Sequence, residues 1–199
     1  MARPPTAAAA PGTGRRLRAD AARNAELLLR AARELFDERG PEVPLDEIAR
    51  RAGVGNATLY RNFPSRGDLL IAVYSDEVDE LCAQGAALLD ASAPEDGLYA
   101  WLDLFAEHVA SRRPLAEAAI AQEPAERRGQ SARHWHARMR ATTAAHLARA
   151  REAGTVRPEL TPVDLLSLTS AAALASTDPA DAVRLIRVMR HGIEPAGSG

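Results

Sequence analysis

The sequence predicts an all-α protein of about nine helices: an N-terminal three-helix helix-turn-helix domain followed by a larger C-terminal helical domain. Three observations predict it. Apolar residues recur three and four apart along most of the 199 residues, the spacing of one helix face. Gly/Pro stops and Ser, Thr or Asp starts divide these stretches at helix-like intervals. No segment alternates apolar and polar residues persuasively, as a half-buried strand does.

Residues 1–17 are rich in Pro, Ala and Gly and read as a disordered arm. A first helix is expected from about Arg18 to Arg39, with Leu28, Ala31, Ala32, Leu35 and Phe36 on its apolar side. Gly40-Pro41 ends it, since Gly takes the left-handed cap and Pro cannot continue the helix. Residues 45–63 read as two short helices about the turn Gly53-Val54-Gly55. Ser65 and Asp68 form a capping-box pattern for the next helix, which holds Leu69, Leu70, Val73, Tyr74 and Leu81 and extends to about Asp90. Ser92-Ala93-Pro94-Glu95 starts another, and Arg113-Pro114 is expected to break it, leaving a short helix over about 115–122. A long helix from about Glu126 or Ser131 to Ala153 stops at Gly154. Thr161-Pro162-Val163-Asp164 and Asp178-Pro179-Ala180-Asp181 start the last two, over about 162–176 and 179–192. The expected domains are the arm, 1–17; a front module, 18–72; and a body, 73–199.

The hydrophobic fraction is 46% and the charged fraction 26%, as in a folded globular chain. Every basic residue is Arg. Residues 1–72 carry a net +3 and the remainder −5, a mildly basic front on an acidic body. The single Cys82 excludes an internal disulfide and suits a reducing cytoplasm. No apolar run reaches membrane-spanning length. Arg15-Arg16 precedes charged residues rather than the apolar stretch of an export signal.

The helix-turn-helix pair points to DNA, because the second helix of such a pair can enter the major groove. Ile48, Ala49 and Ala52 would pack the first short helix, and Leu59 and Phe63 would anchor the second. Asn56, Ala57, Thr58, Tyr60, Arg61 and Asn62 are then shared between solvent and DNA. Asn56, Thr58 and Arg61 suit base-edge contacts, whereas Tyr60, Asn62 and Arg66 suit phosphates.

With Ile48-Ala49, Ala52-Gly53-Val54, Thr58-Leu59-Tyr60, Phe63-Pro64, Arg66 and Leu69-Leu70, roughly residues 20–72 resemble the TetR/AcrR family of bacterial regulators. The resemblance implies a dimer with a DNA-binding head and a C-terminal domain holding a small-molecule pocket and the dimer interface. It also implies a cytoplasmic regulator, in most members a repressor released from a near-palindromic double-stranded operator by its ligand. It calls for neither a cofactor nor a membrane. Tyr60 stands where the family's phosphate-contacting Tyr stands, and Asn56, Ala57 and Thr58 occupy its base-reading stretch. Asn62 replaces a common His and Arg66 a common Lys. Pro44 departs from a frequent capping Thr, and Gly67 from a charged helix former. More loosely, residues 98–120 resemble the C-terminal domain of an actinobacterial subgroup.

In the body, Trp101, Phe105 and His108 recur on one helix face, and Trp135, Met139, Thr142, Thr143 and His146 on another. They read either as a packed core or as a ligand cavity in which His108, Thr143 and His146 are polar handles. His134 and His136 are two apart and would point to different sides of a helix, so no metal is expected there. Arg112-Arg113 and Arg127-Arg128 read as solvated. Leu165, Leu168, Thr169, Ala172 and Ala173, with Val183, Ile186 and Met189, form either a dimer face or an internal core. Two other classes compete with a regulator. A helical interaction scaffold would have no operator. An enzyme would need a convergent catalytic set, and no nucleophile elbow, phosphate loop or metal motif occurs.

Overall fold

The computed structural model describes residues 13–91, 93–127, 129–176 and 178–191. Among these the regular structure is eight α-helices and one 3₁₀ turn. The helices are α1 (Thr13–Arg39), α2 (Leu45–Ala52), α3 (Asn56–Asn62), α4 (Arg66–Ala91), α5 (Pro94–Ala121), α6 (Gln130–Glu152), α7 (Pro162–Ala175) and α8 (Pro179–His191), with the 3₁₀ turn at Ala125–Arg127. The chain divides into two units after Leu69. Residues 13–17, expected in the arm, belong to α1; residues 1–12 lie outside the described residues.

In the first unit α1, α2 and α3 pack together around Leu28, Leu35, Ile48, Leu59 and Leu69, all essentially inaccessible to solvent. The turn between α2 and α3 depends on Gly53, whose φ of 70° lies in the left-handed region that a side chain disfavours. There its N–H donates to the Arg50 carbonyl at 3.2 Å and the next N–H, of Val54, to the Ala49 carbonyl at 3.0 Å, which closes α2. Pro44 caps α2 without a side-chain hydrogen bond. Ser65 and Asp68 form the expected reciprocal cap: the Asp68 N–H donates to the Ser65 hydroxyl at 3.1 Å and the Ser65 N–H to the Asp68 carboxylate at 3.2 Å.

In the second unit α5 packs on α6, α7 and α8. Pro114 does not break it, contrary to expectation: α5 is continuous through that residue. An internal Pro costs about 3 kcal/mol through the lost N–H and a ring clash. Two circumstances offset that cost. Pro114 is exposed, so water can reach the carbonyl it leaves unpaired. Buried residues lie on both sides of it, Phe105, Ala106 and His108 before and Leu115 and Ala119 after. The Thr161–Asp164 capping box of α7 is formed on both sides, and Asp178 accepts from the Asp181 N–H at 2.8 Å.

Trp101 is fully buried at the centre of this unit. Its indole N–H donates to the Thr143 hydroxyl at 2.8 Å, which donates onward to the Met139 carbonyl at 2.9 Å. The ring also lies nearly parallel to His146, with centroids 6.2 Å apart. Gly85 on α4 makes room for it. A Cβ there would come within 2.5 and 2.7 Å of the indole and 2.8 Å of Thr142. Gly85→Ala would gain about 1 kcal/mol of helix propensity. Overpacking against a rigid ring costs about 1–3 kcal/mol, so the net expected result is a lower melting temperature. A melt at or above the wild-type value would show that the ring has slack.

Candidate DNA-reading surface and body cleft

The apolar spacing of α3 divides it into two sides. Leu59 is buried, as is Phe63 just beyond the C-terminus of the helix, while Asn56, Ala57, Tyr60 and Arg61 are exposed. Tyr60 is 53% exposed, unusual for a large aromatic side chain. Thr58 and Arg61 are linked, the guanidinium donating to the Thr58 hydroxyl at 2.9 Å. Such a pair holds a hydroxyl and a cation on one side of the helix. Asn62 donates to the Thr58 carbonyl within its own helix at 2.8 Å. Arg66 is partly buried and donates to the Pro41 carbonyl at 2.9 Å. Four of the seven expected DNA-contacting residues therefore present accessible side chains, and Asn62 and Arg66 already serve the fold.

The residues expected around a body pocket separate into a core and a wall. Trp101, Thr143 and His146 belong to the core, where His146 Nε2 lies 2.8 Å from the Gly85 carbonyl oxygen. Trp135 is buried too, its indole N–H donating to Ser75 at 2.8 Å and its ring edge-on to Tyr74 at 4.5 Å. The flanking His134 and His136 are exposed. No group of three or more potential metal ligands occurs among the described residues. Phe105 and Met139 do line a cleft of about 610 Å³, formed mainly by α5, α6 and α7 with Tyr74 of α4. Its other walls come from residues not assigned to a pocket from sequence, including Ile120, Leu166, Arg133 and Arg140. Arg113 also lines it and is exposed, in keeping with the solvated reading, with a surface pair to Glu117 at 2.8 Å; Arg112 departs from that reading and reaches the buried Glu77 at 3.5 Å.

His108 lies behind the cleft wall, its Nε2 3.2 Å from the Tyr74 hydroxyl. Burial, and then the Arg112 charge, lower its pKa to about 4. Burial, and then the Glu77 charge, push Tyr74 up to about 12. The pairing is thus one of a protonated phenol with a neutral imidazole. Its consequence for stability has a definite sign. The unfolded chain protonates His108 near pH 6.5 and the folded chain does not until about 4. The contribution is whole above pH 6.5 and falls away toward pH 4, by up to about 3 kcal/mol. Denaturant titrations across that window should show a shallower pH slope for His108→Gln; an unchanged slope would assign the loss to other groups.

Comparison with known proteins settles the relationship. Residues 28–73 match the model for bacterial regulatory proteins of the tetR family. Residues 93–195 match the C-terminal domain of SbtR-like transcriptional regulators, half of the chain by themselves. The chain belongs to the TetR family. A TetR transcription regulatory protein from Mycobacterium vanbaalenii is 33% identical, with 90% of this chain and 99% of that one covered and a TM-score of 0.67. A TetR regulator from Streptomyces coelicolor is 31% identical over 87% of this chain and 99% of that one, with a TM-score of 0.64. An HTH-type transcriptional regulator of Staphylococcus aureus shares 38% identity over 64 residues. That match spans 32% of this chain and 35% of the regulator.

TetR regulators act as dimers. On α7 and α8 the expected dimer residues divide between two roles. Leu165, Thr169, Ala173 and Ile186 are buried within the chain, the internal-core alternative. Leu168 stays 51% exposed and Val183 and Met189 are partly exposed; Val188 of α8, not among the expected residues, is 42% exposed. Sequence reasoning offered Phe105 and Met139 for a cavity but gave α7 either to a dimer face or to an internal core, and so did not bring α7 to the cleft. The signal was present: Val163, Ser167, Ser170 and Leu174 follow a three-four spacing, and all line the cleft. Among the described residues no helix is long and apolar enough to cross a membrane.

Proposed function

We propose that this TetR-family protein is a cytoplasmic, ligand-responsive repressor that binds a near-palindromic operator as a homodimer. The observation that carries the reading is α3, which buries Leu59 and leaves Asn56, Ala57, Tyr60 and Arg61 accessible. Asn56, Ala57 and the Thr58–Arg61 pair are the base readers and Tyr60 the phosphate contact, with Asn62 and Arg66, each oriented by one internal bond, able to add phosphate contacts through their remaining N–H groups. Two heads related by a two-fold axis would read successive major grooves. The exposed Leu168 and Val188 are the apolar residues offered for the dimer face. Tyr74, on the cleft wall, lies on the same helix as Arg66, which gives ligand occupancy a covalent route toward the head. Release follows only if the ligand prefers the conformation that does not bind DNA.

The test is selection of bound fragments from a random DNA pool by the purified protein. A symmetric motif, bound with an affinity that falls steeply with salt, is expected. Enrichment of no motif would favour a helical scaffold and defeat the regulator. Tyr60→Ala should weaken binding to the selected site and to unrelated DNA alike, by about three- to tenfold. Loss confined to one sequence would instead make Tyr60 a base reader.

A further inference from the structure

The cleft of the second unit is lined by both cations and apolar side chains. Arg133, His136 and Arg140 are spaced three and four apart, so they share one face of α6, and all line the cleft. Arg113 is neutralised there by Glu117. Arg133 and Arg140 have no carboxylate partner among the described residues, unlike Arg138 of the same helix, which holds Asp79 at 2.7 Å. Phe105, Met139, Leu166 and Ile120 form the apolar part of the wall. An uncompensated guanidinium binds a carboxylate or phosphate oxygen through charge-assisted, often bidentate hydrogen bonds. A small hydrated anion would leave the wall wet, and a neutral apolar molecule would leave the arginines unused. A cation would meet like charge. The volume of about 610 Å³ is that of a small-molecule site.

We propose that this cleft binds an amphipathic organic anion, its apolar body against Phe105, Met139 and Leu166 and its anionic head held by the arginines of α6. The inference rests on the reading of this cleft as the regulator's effector site, and its test keeps the two apart. Calorimetric titrations of the full chain would use decanoate, decyl phosphate, decanol and acetate. The first two share a body and differ in head; decanol lacks the charge and acetate the body. Both decyl anions should bind more tightly than decanol and acetate. The double variant Arg133→Gln, Arg140→Gln should weaken the anions about tenfold or more and leave decanol unchanged. Ser167→Trp, an exposed position on the cleft, should block all three decyl compounds. Thermal melts would confirm that both variants stay folded, since all three positions are exposed. Decanol binding as tightly as decanoate, no binding of either decyl anion, or an unaffected double variant would each overturn the proposal. So would variants that change the oligomeric state and spare ligand affinity, because the cleft would then be a face between copies of the chain. Operator affinity is measured separately. An anion that binds without releasing DNA overturns the effector reading and leaves the ligand class standing.

Discussion

Trp101→Ala is expected to lower the stability of the second unit by about 3–5 kcal/mol, the range for truncating a large aromatic in a closed core. Two contributions make up that loss. The indole is wholly inaccessible, so its removal leaves a cavity that the helices can close only in part. It also leaves the Thr143 hydroxyl without the N–H that donates to it at 2.8 Å. The backbone around Gly85 limits collapse, because α4 already approaches the ring as closely as a glycine permits. Circular dichroism during chemical denaturation measures the change without relying on indole fluorescence. Trp101→Phe, which keeps an aromatic ring and loses the hydrogen bond, should cost less. A loss below about 1 kcal/mol for the alanine variant would mean that the ring stands on a cavity wall rather than in the core.

The same residue shows what the sequence could and could not settle. Helical spacing placed Trp101, Phe105, Thr143 and His146 on inward faces, and all four are buried. Spacing cannot distinguish an inward face that meets another side chain from one that meets an empty cleft. That depends on the volumes contributed by other helices, here Gly85 of α4 against Trp101. Helix starts were legible because their signals are local: Ser65 with Asp68, and Thr161 with Asp164, form the bonds their spacing implies. Pro114 was misread for the opposite reason. Its local cost is real, but packing of α5 against three other helices outweighs it, and those contacts are remote in sequence. In α3 the division into buried Leu59 and exposed Ala57 and Tyr60 was legible, whereas the bond that occupies Arg66 runs to Pro41, twenty-five residues away.

Ala57→Glu should separate the fold of the head from its proposed contact with DNA. Ala57 is exposed in the first turn of α3, so a longer side chain removes no core contact. That turn contains no acidic residue, and a carboxylate near a helix N-terminus is favourable by about 0.3–1 kcal/mol. The head should therefore melt at the wild-type temperature or slightly above it. On DNA the sign reverses. If the N-terminus of α3 enters the major groove, the carboxylate meets base-edge acceptors and flanking phosphates, and any pairing with Arg61 one turn on withdraws that cation from the DNA. Like-charge juxtaposition at an interface costs several kcal/mol, so affinity for the selected operator should fall about hundredfold or more at fixed salt. Ala57→Gln adds similar bulk without the charge and should retain more of the binding, which isolates the electrostatic part. Fluorescence anisotropy with the selected duplex reads the affinity, and a parallel melt reads the fold. Undiminished binding by the glutamate variant would place the DNA elsewhere and remove Asn56, Ala57 and Thr58 together from the reading surface.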